Sequence, residues 1–383
     1  MLKKILAVAA VLTLAGCGGG ATLKSTSTLL NSIAAIGQSG VDRCPGGTIT
    51  HSGLTPLNWK CNAKLSPTTT TTISPPPGNT PASDLPRSLF NQNVTSWGTL
   101  PNSVQLASNF ISAYQTHYGS VGVNTAPVYA VPVGTPDVPV SVRSGCGDFT
   151  GSTGNQVPVP TFLQLNGSGD NPLILYSTSQ DRLWEFWQAS WTGSTLSACW
   201  GGSAPLSTFS GVFPAYYGLS ATGISYLATT ITEADIASGT IDHAIAVILP
   251  PSNCNGNIYP ADRGDCPNSP GQPSEGSWFR FAPGTQMPGG LTPFAQMVFR
   301  AISTYGMVVL DQGGAVMLEA EQSSDWKAEG HSGTDPITAS WQGQQEYKVV
   351  AALPWGSLQA LNVPVSAVQQ PRPSGEPFYP WAS

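Results

Sequence analysis

Short apolar runs that end near glycine or proline dominate the chain from residue 126 onward. The chain contains 42 glycines and 34 prolines, and both residue types interrupt regular structure. Apolar runs of this length, rich in β-branched and aromatic residues, predict strands rather than long helices. The runs cover residues 126–133, 138–142, 172–177, 182–187, 241–249, 307–311 and 315–321.

Two pairs of these runs are separated by turn residues. Ser179-Gln180-Asp181 lies between runs 172–177 and 182–187, and Gly313-Gly314 lies between runs 307–311 and 315–321. Short connections of this kind, Gly-Gly above all, are typical of β-hairpins. We therefore predict two hairpins.

Only three segments have a helical pattern. Apolar residues recur at near-helical spacing over 103–117, Thr232 opens a short second segment, and Thr292-Pro293 supplies an N-cap and a first-turn proline for a third. Many strands with few helices between them predict an antiparallel β-sandwich or jelly-roll-like domain with about three peripheral helices.

The N-terminus has the pattern of an export signal. Lys3 and Lys4 precede an apolar run over residues 5–14, which is too short to span a bilayer. Leu14-Ala15-Gly16-Cys17 resembles the lipobox of bacterial lipoproteins. The resemblance implies that residues 1–16 are a signal peptide and that the bilayer is a partner through acylated Cys17. The protein would then be exported and anchored at the cell envelope, at the outer membrane if the cell is Gram-negative.

Composition divides the rest of the chain. Residues 17–40 are predicted to be a tether, 41–65 a small disulfide loop region, 66–83 a Thr/Pro-rich linker, and 84–383 the main β-rich domain. Only 9% of residues are charged, and the net charge of −6 comes with no basic run. These features argue against binding to nucleic acid, which depends on clustered Lys and Arg.

Six cysteines remain once Cys17 is set aside. An even number in an exported chain predicts disulfides. Fifteen pairings of six cysteines are possible; we expect the sequential one, Cys44–Cys61, Cys146–Cys199 and Cys254–Cys266. No Cys-x-x-Cys pair occurs and the histidines lie far apart, so we expect no metal site and no cofactor.

The segment from Asp181 to Trp187 is the first candidate site. On a strand, Leu183, Glu185 and Trp187 share one face, and Arg182, Trp184 and Phe186 share the other. A carboxylate beside tryptophan suits a sugar site, because the indole stacks on a pyranose and partial desolvation raises the pKa of the acid. The alternative interpretation, which we favour, is an edge strand with its aromatic residues in the core and Glu185 exposed or paired with an arginine.

Other residues are weaker candidates. Asp181, His243 and Asp262 complete the catalytic set with Glu185, although His243 on an apolar strand face is more typical of a hydrogen-bonded core residue. Acids on the 259–266 loop could line a cleft or bind Ca²⁺, but no Asp-x-Asp-x-Asp-Gly pattern supports calcium. The segment that begins at Glu275, together with Asp311, has less to recommend it. The candidate binding residues are Trp184, Trp187, Trp191, Trp200, Arg182 and Arg263.

The order of several short motifs resembles a group of uncharacterised secreted bacterial proteins. These motifs include residues 183–187, 239–244, 260–262 and 305–311. The resemblance covers roughly residues 120–315 and implies one domain there, but no activity. Paired acids and tryptophans favour a protein that engages an extracellular or cell-wall polysaccharide, as a hydrolase or lyase. The alternative is a non-catalytic carbohydrate-binding or envelope-structural lipoprotein.

Overall fold

The structure, a computed structural model, describes residues 49–50, 60–61 and 85–364 except 118, 124, 215–216 and 257. The predicted signal peptide 1–16, the predicted lipidation site Cys17, the predicted tether and 66–83 linker, and Cys44 lie outside these residues. The chain divides into two compact units, Met1–Thr72 and Ile73–Ser383. In the first unit, β1 (Ile49–Thr50) pairs antiparallel with β2 (Lys60–Cys61).

The second unit is rich in strands. In chain order they are β3 (Ser120–Gly122), β4 (Val128–Ala130), β5 (Asp137–Val142), β6 (Gln156–Pro158), β7 (Leu173–Ser177), β8 (Arg182–Trp187), β9 (Ser190–Trp191), β10 (Leu196–Ala198), β11 (Trp200–Ala204), β12 (Ile245–Ile248), β13 (Trp278–Phe281), β14 (Met307–Asp311), β15 (Met317–Glu319) and β16 (Leu358–Ala360).

The helices are fewer and mostly short. They are α1 (Ser103–Thr116), α2 (Thr150–Thr153), α3 (Glu233–Ser238), α4 (Pro293–Thr304), α5 (Ser324–Ala328), α6 (Pro336–Ser340) and α7 (Glu346–Val349), with 3₁₀ turns at Leu89–Asn91 and Trp355–Ser357. The three predicted helices are present as α1, α3 and α4, and the other four are each of five residues or fewer.

The strands of the second unit form three sheets. A six-stranded sheet has the order β16-β13-β14-β12-β15-β3, and two four-stranded sheets have the orders β11-β8-β7-β4 and β6-β5-β10-β9. The predicted strand-rich class is therefore confirmed. The sheets are mixed rather than purely antiparallel, because β12/β14, β15/β3, β4/β7 and β10/β5 are parallel pairs.

Side chains alternate between the two faces of each strand, so a sheet can bury both of its faces. The sheets and helices of the second unit therefore pack in layers. One face of the six-stranded sheet packs on the helices through Ile245, Val247, Met307 and Val309. Its other face packs on the β7–β8 sheet through Ala246, Ile248, Val308 and Leu310. The far face of the β7–β8 sheet, with Leu173, Leu175, Trp184 and Phe186, packs on the third sheet. The faces predicted for the 182–187 strand are thus confirmed.

The best-predicted helix, α4, begins as its sequence indicates. The Thr292 hydroxyl accepts a hydrogen bond from the Ala295 N–H at 3.2 Å, and Pro293 occupies the first turn, where no N–H is needed. The helix buries Phe294, Val298 and Ile302 in the core that it shares with the six-stranded sheet.

One predicted hairpin is confirmed and the other is wrong. Strands β7 and β8 pair antiparallel, as the turn around Gln180 predicted. Strands β14 and β15 do not pair, because β12 lies between them. The run from Met307 to Leu310 is buried on both faces, which suits a central strand with neighbours on each side. Gly313-Gly314 therefore belongs to a connection that passes over β12.

Two of the expected disulfides are present. Cys146–Cys199 and Cys254–Cys266 have S–S distances of 1.92 Å and 2.06 Å. They indicate an oxidising, extracytoplasmic environment. Within the described residues, no helix combines the length and the apolar character needed to cross a bilayer.

Candidate functional site

A cleft of about 470 Å³ opens at the ends of two sheets. Ile248 and Asp311 are the last residues of the parallel strands β12 and β14, while Trp187 ends β8 and Trp200 begins β11. The ends of parallel strands are common ligand sites because neighbouring loops diverge there. The lining residues are Gly122, Thr125, Ser168, Asp170, Pro172, Trp187, Trp200, Leu219, Ser220, Ala221, Tyr226, Ile248, Asp265, Asp311, Gln312, Gly313, Met317 and Glu319.

The cleft lining is strongly acidic. Asp170, Asp265, Asp311 and Glu319 contribute carboxyl groups, and the lining residues within the described chain include no Lys, Arg or His. Such a surface repels anionic ligands. It attracts cations and groups that donate hydrogen bonds, including sugar hydroxyls.

Three carboxylates at one side of the cleft form a cluster. Single oxygens of Asp265, Glu275 and Asp311 all lie within 4.8 Å of one another. Asp265 lies in the loop that the Cys254–Cys266 disulfide closes, Glu275 precedes β13, and Asp311 ends β14. We call these three residues the acid cluster. Its members come from separate segments, so the fold rather than local sequence brings them together.

Glu275 is the most isolated member of the acid cluster. Its side chain is 0% exposed, and neither carboxylate oxygen accepts a hydrogen bond of normal geometry from any described residue. Burial, with the charges of Asp311 and Asp265, raises the pKa of Glu275 to about 9; contacts with the Ser252 hydroxyl and the Asp265 backbone N–H offset only part of this rise. A buried carboxylate with such weak contacts to donors is costly.

Asp311 is better placed to meet a ligand. The Gln312 N–H donates to its Oδ1 at 2.7 Å, and the side chain lines the cleft. Burial and the charges of Asp265, Glu319 and Asp170 raise the pKa of Asp311 to about 8.

Glu319 and Tyr226 occupy another part of the same cleft. Burial raises the pKa of Glu319 to about 7, against a small lowering by the Thr125 hydroxyl. The pKa of Tyr226 lies well above its ordinary value because of burial and the charges of Asp311 and Glu319. At neutral pH, Glu319 is therefore partly protonated and Tyr226 keeps its phenolic proton.

Two tryptophans complete the cleft. The Trp187 Nε1–H donates to Asp170 Oδ1 at 3.2 Å, which fixes the orientation of this indole. Trp200 follows disulfide-bonded Cys199, and a Cβ at Gly147 would overlap its ring. Both rings are thus held in place rather than free to rotate.

Glu185, the main predicted acid, lies beneath the cleft and is not among its lining residues. Its carboxylate is fully buried and accepts hydrogen bonds from Ser225 Oγ at 2.6 Å, Leu227 N–H at 3.1 Å and Tyr226 N–H at 3.3 Å. Burial still raises its pKa to about 7. These bonds hold the 225–227 segment, so Glu185 positions Tyr226 from below.

Asp181 and Arg182 lie at the far end of the same hairpin. Asp181 is exposed and accepts hydrogen bonds from the Ser207 hydroxyl at 2.6 Å and the Ser207 N–H at 2.8 Å. These bonds hold its pKa below the ordinary value. Neither Asp181 nor Arg182 lines the cleft, since Trp187 is the end of β8 that does.

His243 is packed in the interior. It is fully buried, with Nε2 3.2 Å from Asp235 Oδ2 and Nδ1 2.8 Å from the Ala244 carbonyl oxygen. Burial lowers the pKa of His243, but the Asp235 carboxylate and these hydrogen bonds raise it above the ordinary value. The arrangement ties α3 to the start of β12.

Asp262 and Arg263 stabilise the neighbouring loop. Their side chains form an ion pair at 3.2 Å, and Arg263 Nη2 donates to the carbonyl oxygens of Tyr217 at 2.7 Å and Ser220 at 3.0 Å. Gly223 has a φ of +80°, and a Cβ there would lie 2.6 Å from Asp262 Oδ1. The pair supports Ser220, which lines the cleft, without lining it itself.

The remaining predicted aromatics divide between core and cleft. Trp184 is buried between the β7–β8 sheet and the third sheet, and Trp191 is half-buried against the same core. The sequence therefore identified two cleft residues, Trp187 and Trp200. It gave little weight to Glu275 and Asp311 and did not select Asp170, Tyr226 or Glu319. An acid directly after a buried strand, as at Asp311, was the usable indication.

Comparisons with known proteins give no match. No family model, no curated protein and no solved structure is similar to this chain. The function must therefore be argued from the cleft.

Proposed function

We propose that the protein binds a polysaccharide chain in the cleft. The observation that carries the proposal is the combination of fixed aromatic rings and uncompensated carboxylates around one cavity of about 470 Å³. Indole faces stack on the apolar faces of pyranose rings, and carboxylates accept hydrogen bonds from sugar hydroxyls. A cavity of this size suits a small ligand or a short stretch of a longer chain.

The proposed location of the polysaccharide follows from the proposed anchor. An acylated Cys17 would hold the protein at the cell envelope, where cell-wall or extracellular glycans are the abundant polymers. The Thr/Pro-rich linker 66–83 would separate the cleft from the membrane surface.

The binding proposal is tested by a panel of soluble and cell-wall polysaccharides, with Trp187→Ala, Trp200→Ala and Trp191→Ala beside the wild type. Loss of one stacking partner should weaken binding by about tenfold. Trp191 is an aromatic residue outside the cleft lining, so Trp191→Ala is the matched control. The proposal fails if the wild type retains no glycan or if the three variants bind alike.

Glycoside hydrolysis is a second candidate function, favoured by the raised pKa of Glu319. Hydrolysis needs a proton donor and a second carboxylate. Glu319 would give its proton to the departing glycosidic oxygen as the bond from this oxygen to the anomeric carbon breaks. A water would then add to the anomeric carbon and lose its proton to a second carboxylate, for which Asp170 is the candidate.

Reducing-end release from a bound glycan tests hydrolysis. Glu319→Gln should abolish turnover and retain binding, whereas Asp181→Asn, on the exposed hairpin turn, should leave both unchanged. Turnover should fall as pH rises through about 7, because Glu319 then loses its proton. Bound glycan without cleavage would leave a binding protein and exclude the hydrolase.

A further inference from the structure

The acid cluster has the donor set of a site for a hard cation. All three side chains offer carboxylate oxygens, and they come from three separate segments of the chain. Cys254 and Cys266 lie nearby, but their sulfurs are joined in a disulfide and cannot act as thiolate ligands. Carboxylate oxygens suit Ca²⁺, Mg²⁺ or Mn²⁺, whereas imidazole and thiolate ligands are typical of zinc and copper sites.

The spacing of the oxygens is compatible with one hard cation. The three oxygens lie within 4.8 Å of one another, so they are grouped closely enough to share a single ion. Ca²⁺ accepts several carboxylates in flexible geometry, whereas Mg²⁺ demands a near-ideal octahedron and is usually held by one or two carboxylates and waters. Three carboxylates from separate segments therefore favour Ca²⁺.

Glu275 supplies an independent indication of a ligand. It is fully buried, its oxygens lack regular donors in the described chain, and one of them points at Asp265 and Asp311. None of the ion pairs formed by described residues includes a member of the acid cluster. Buried carboxylates in proteins are normally paired or bound to a metal.

The acid cluster is accessible enough from the cleft for a bound ion to exchange with the solvent. Asp265 is exposed, Asp311 is half-buried and both line the cleft, whereas Glu275 closes the site from inside. An ion there would have protein ligands on one side and water or a ligand hydroxyl on the cleft side.

From this donor set and geometry we propose that Asp265, Glu275 and Asp311 bind one Ca²⁺ ion. The ion ties the disulfide-closed loop to the segment before β13 and to the end of β14. Its remaining coordination positions face the cleft. The proposal does not depend on a polysaccharide ligand, because the cluster is complete without one.

Calorimetric titration of the chelator-treated full-length protein with CaCl₂, with no glycan present, tests the site. We expect one Ca²⁺ per chain and a higher thermal midpoint in CaCl₂ than in EDTA. Asp311→Asn and Asp265→Asn should each weaken Ca²⁺ binding by at least about tenfold. Asp262→Asn removes an acid just outside the acid cluster and is the matched control.

Each outcome decides the proposal. Asp265 is exposed, so Asp265→Asn keeps the test valid if a change at buried Glu275 prevents folding. The proposed site is overturned if titration with CaCl₂ gives no heat of binding, or if the wild type and both cluster variants bind Ca²⁺ equally. Tighter binding of Mg²⁺ than of Ca²⁺ overturns the assignment of the site to Ca²⁺. Calcium binding without any glycan binding supports the cation site and rejects the proposed function.

Discussion

Two regions of the second unit bury a glutamate completely, and they do so in opposite ways. Beneath the cleft, Glu185 is surrounded by donors: a serine hydroxyl and two backbone N–H groups. In the acid cluster, Glu275 faces the carboxylates of Asp265 and Asp311, and neither of its oxygens accepts a hydrogen bond of normal geometry from a described residue. Both side chains are 0% exposed, so burial alone does not separate them.

This difference indicates which of the two buried acids has a structural role. A carboxylate whose oxygens accept hydrogen bonds from its own chain needs no ligand, and its removal leaves unpaired donors. A carboxylate that faces other carboxylates and has only weak contacts with donors gains little from the chain and is compensated mainly by a proton or a cation. We therefore infer a positioning role for Glu185 and a ligand-binding role for Glu275.

The most direct way to break this comparison is Glu185→Ala. The change removes the acceptor for Ser225, Tyr226 and Leu227 and leaves a cavity between two sheets. We expect the free energy of unfolding to fall by about 3 kcal/mol or more in denaturant titrations. Asp181→Ala on the same hairpin is exposed and should cost less than about 1 kcal/mol. Equal losses in the two variants would show that the hydrogen bonds to Glu185 do not stabilise the fold.

The sequence predicted those elements whose formation depends on periodicity and local chemistry. Helix α4 follows from the Thr292-Pro293 start, and the faces of β8 follow from alternation. The β14–β15 hairpin was mispredicted because Gly-Gly indicates a turn but not the partner of each strand. Pairing of β14 with β12 depends on contacts across about 60 residues, which local patterns do not encode.

The site was harder to predict than the fold. Trp187 and Trp200 were found because aromatic residues beside Glu185 and Cys199 stood out. The members of the acid cluster were named only as separate, weak candidates, since Asp265, Glu275 and Asp311 are each ordinary in sequence and meet only through the sheet and the disulfide loop. Glu185 was overrated because sequence shows an acid among aromatics but not the donors from residues 225–227.

The pH dependence of stability provides a further test of the role of Glu185. Unfolded, this carboxyl loses its proton near its ordinary pKa of 4.5, but folded it does so near 7. Between these values the folded state binds more protons, so the contribution of Glu185 to stability is complete below about pH 4.5 and is lost as pH rises through 7. We expect a loss of about 2 kcal/mol between pH 5 and pH 7 from this group.

Thermal unfolding across this pH range measures the effect. Glu185→Gln cannot ionise and should flatten the decline. Asp181→Asn should not flatten it, because the pKa of Asp181 is lowered and its contribution is lost only at acidic pH. Other groups with raised pKa values, among them Glu275, Asp311, Glu319 and His243, act in the same direction as Glu185 and leave a residual slope. A profile unchanged by Glu185→Gln would contradict the assignment.

The smallest expected effect is the change in stability when each buried glutamate is replaced by glutamine. It distinguishes the two regions best, because its sign differs between them. In EDTA, Glu275→Gln removes a buried, unpaired acid that faces Asp265 and Asp311, so stability should rise by about 1 kcal/mol. Glu185→Gln should lower stability under the same conditions, since an amide nitrogen would face backbone N–H donors.

Adding CaCl₂ should stabilise the wild type and leave Glu275→Gln unchanged, so the wild type would become the more stable of these two proteins. Chemical unfolding of both variants in EDTA and in CaCl₂ measures all of these differences. Two glutamines that shift stability in the same direction would mean that local donors do not distinguish the two buried acids.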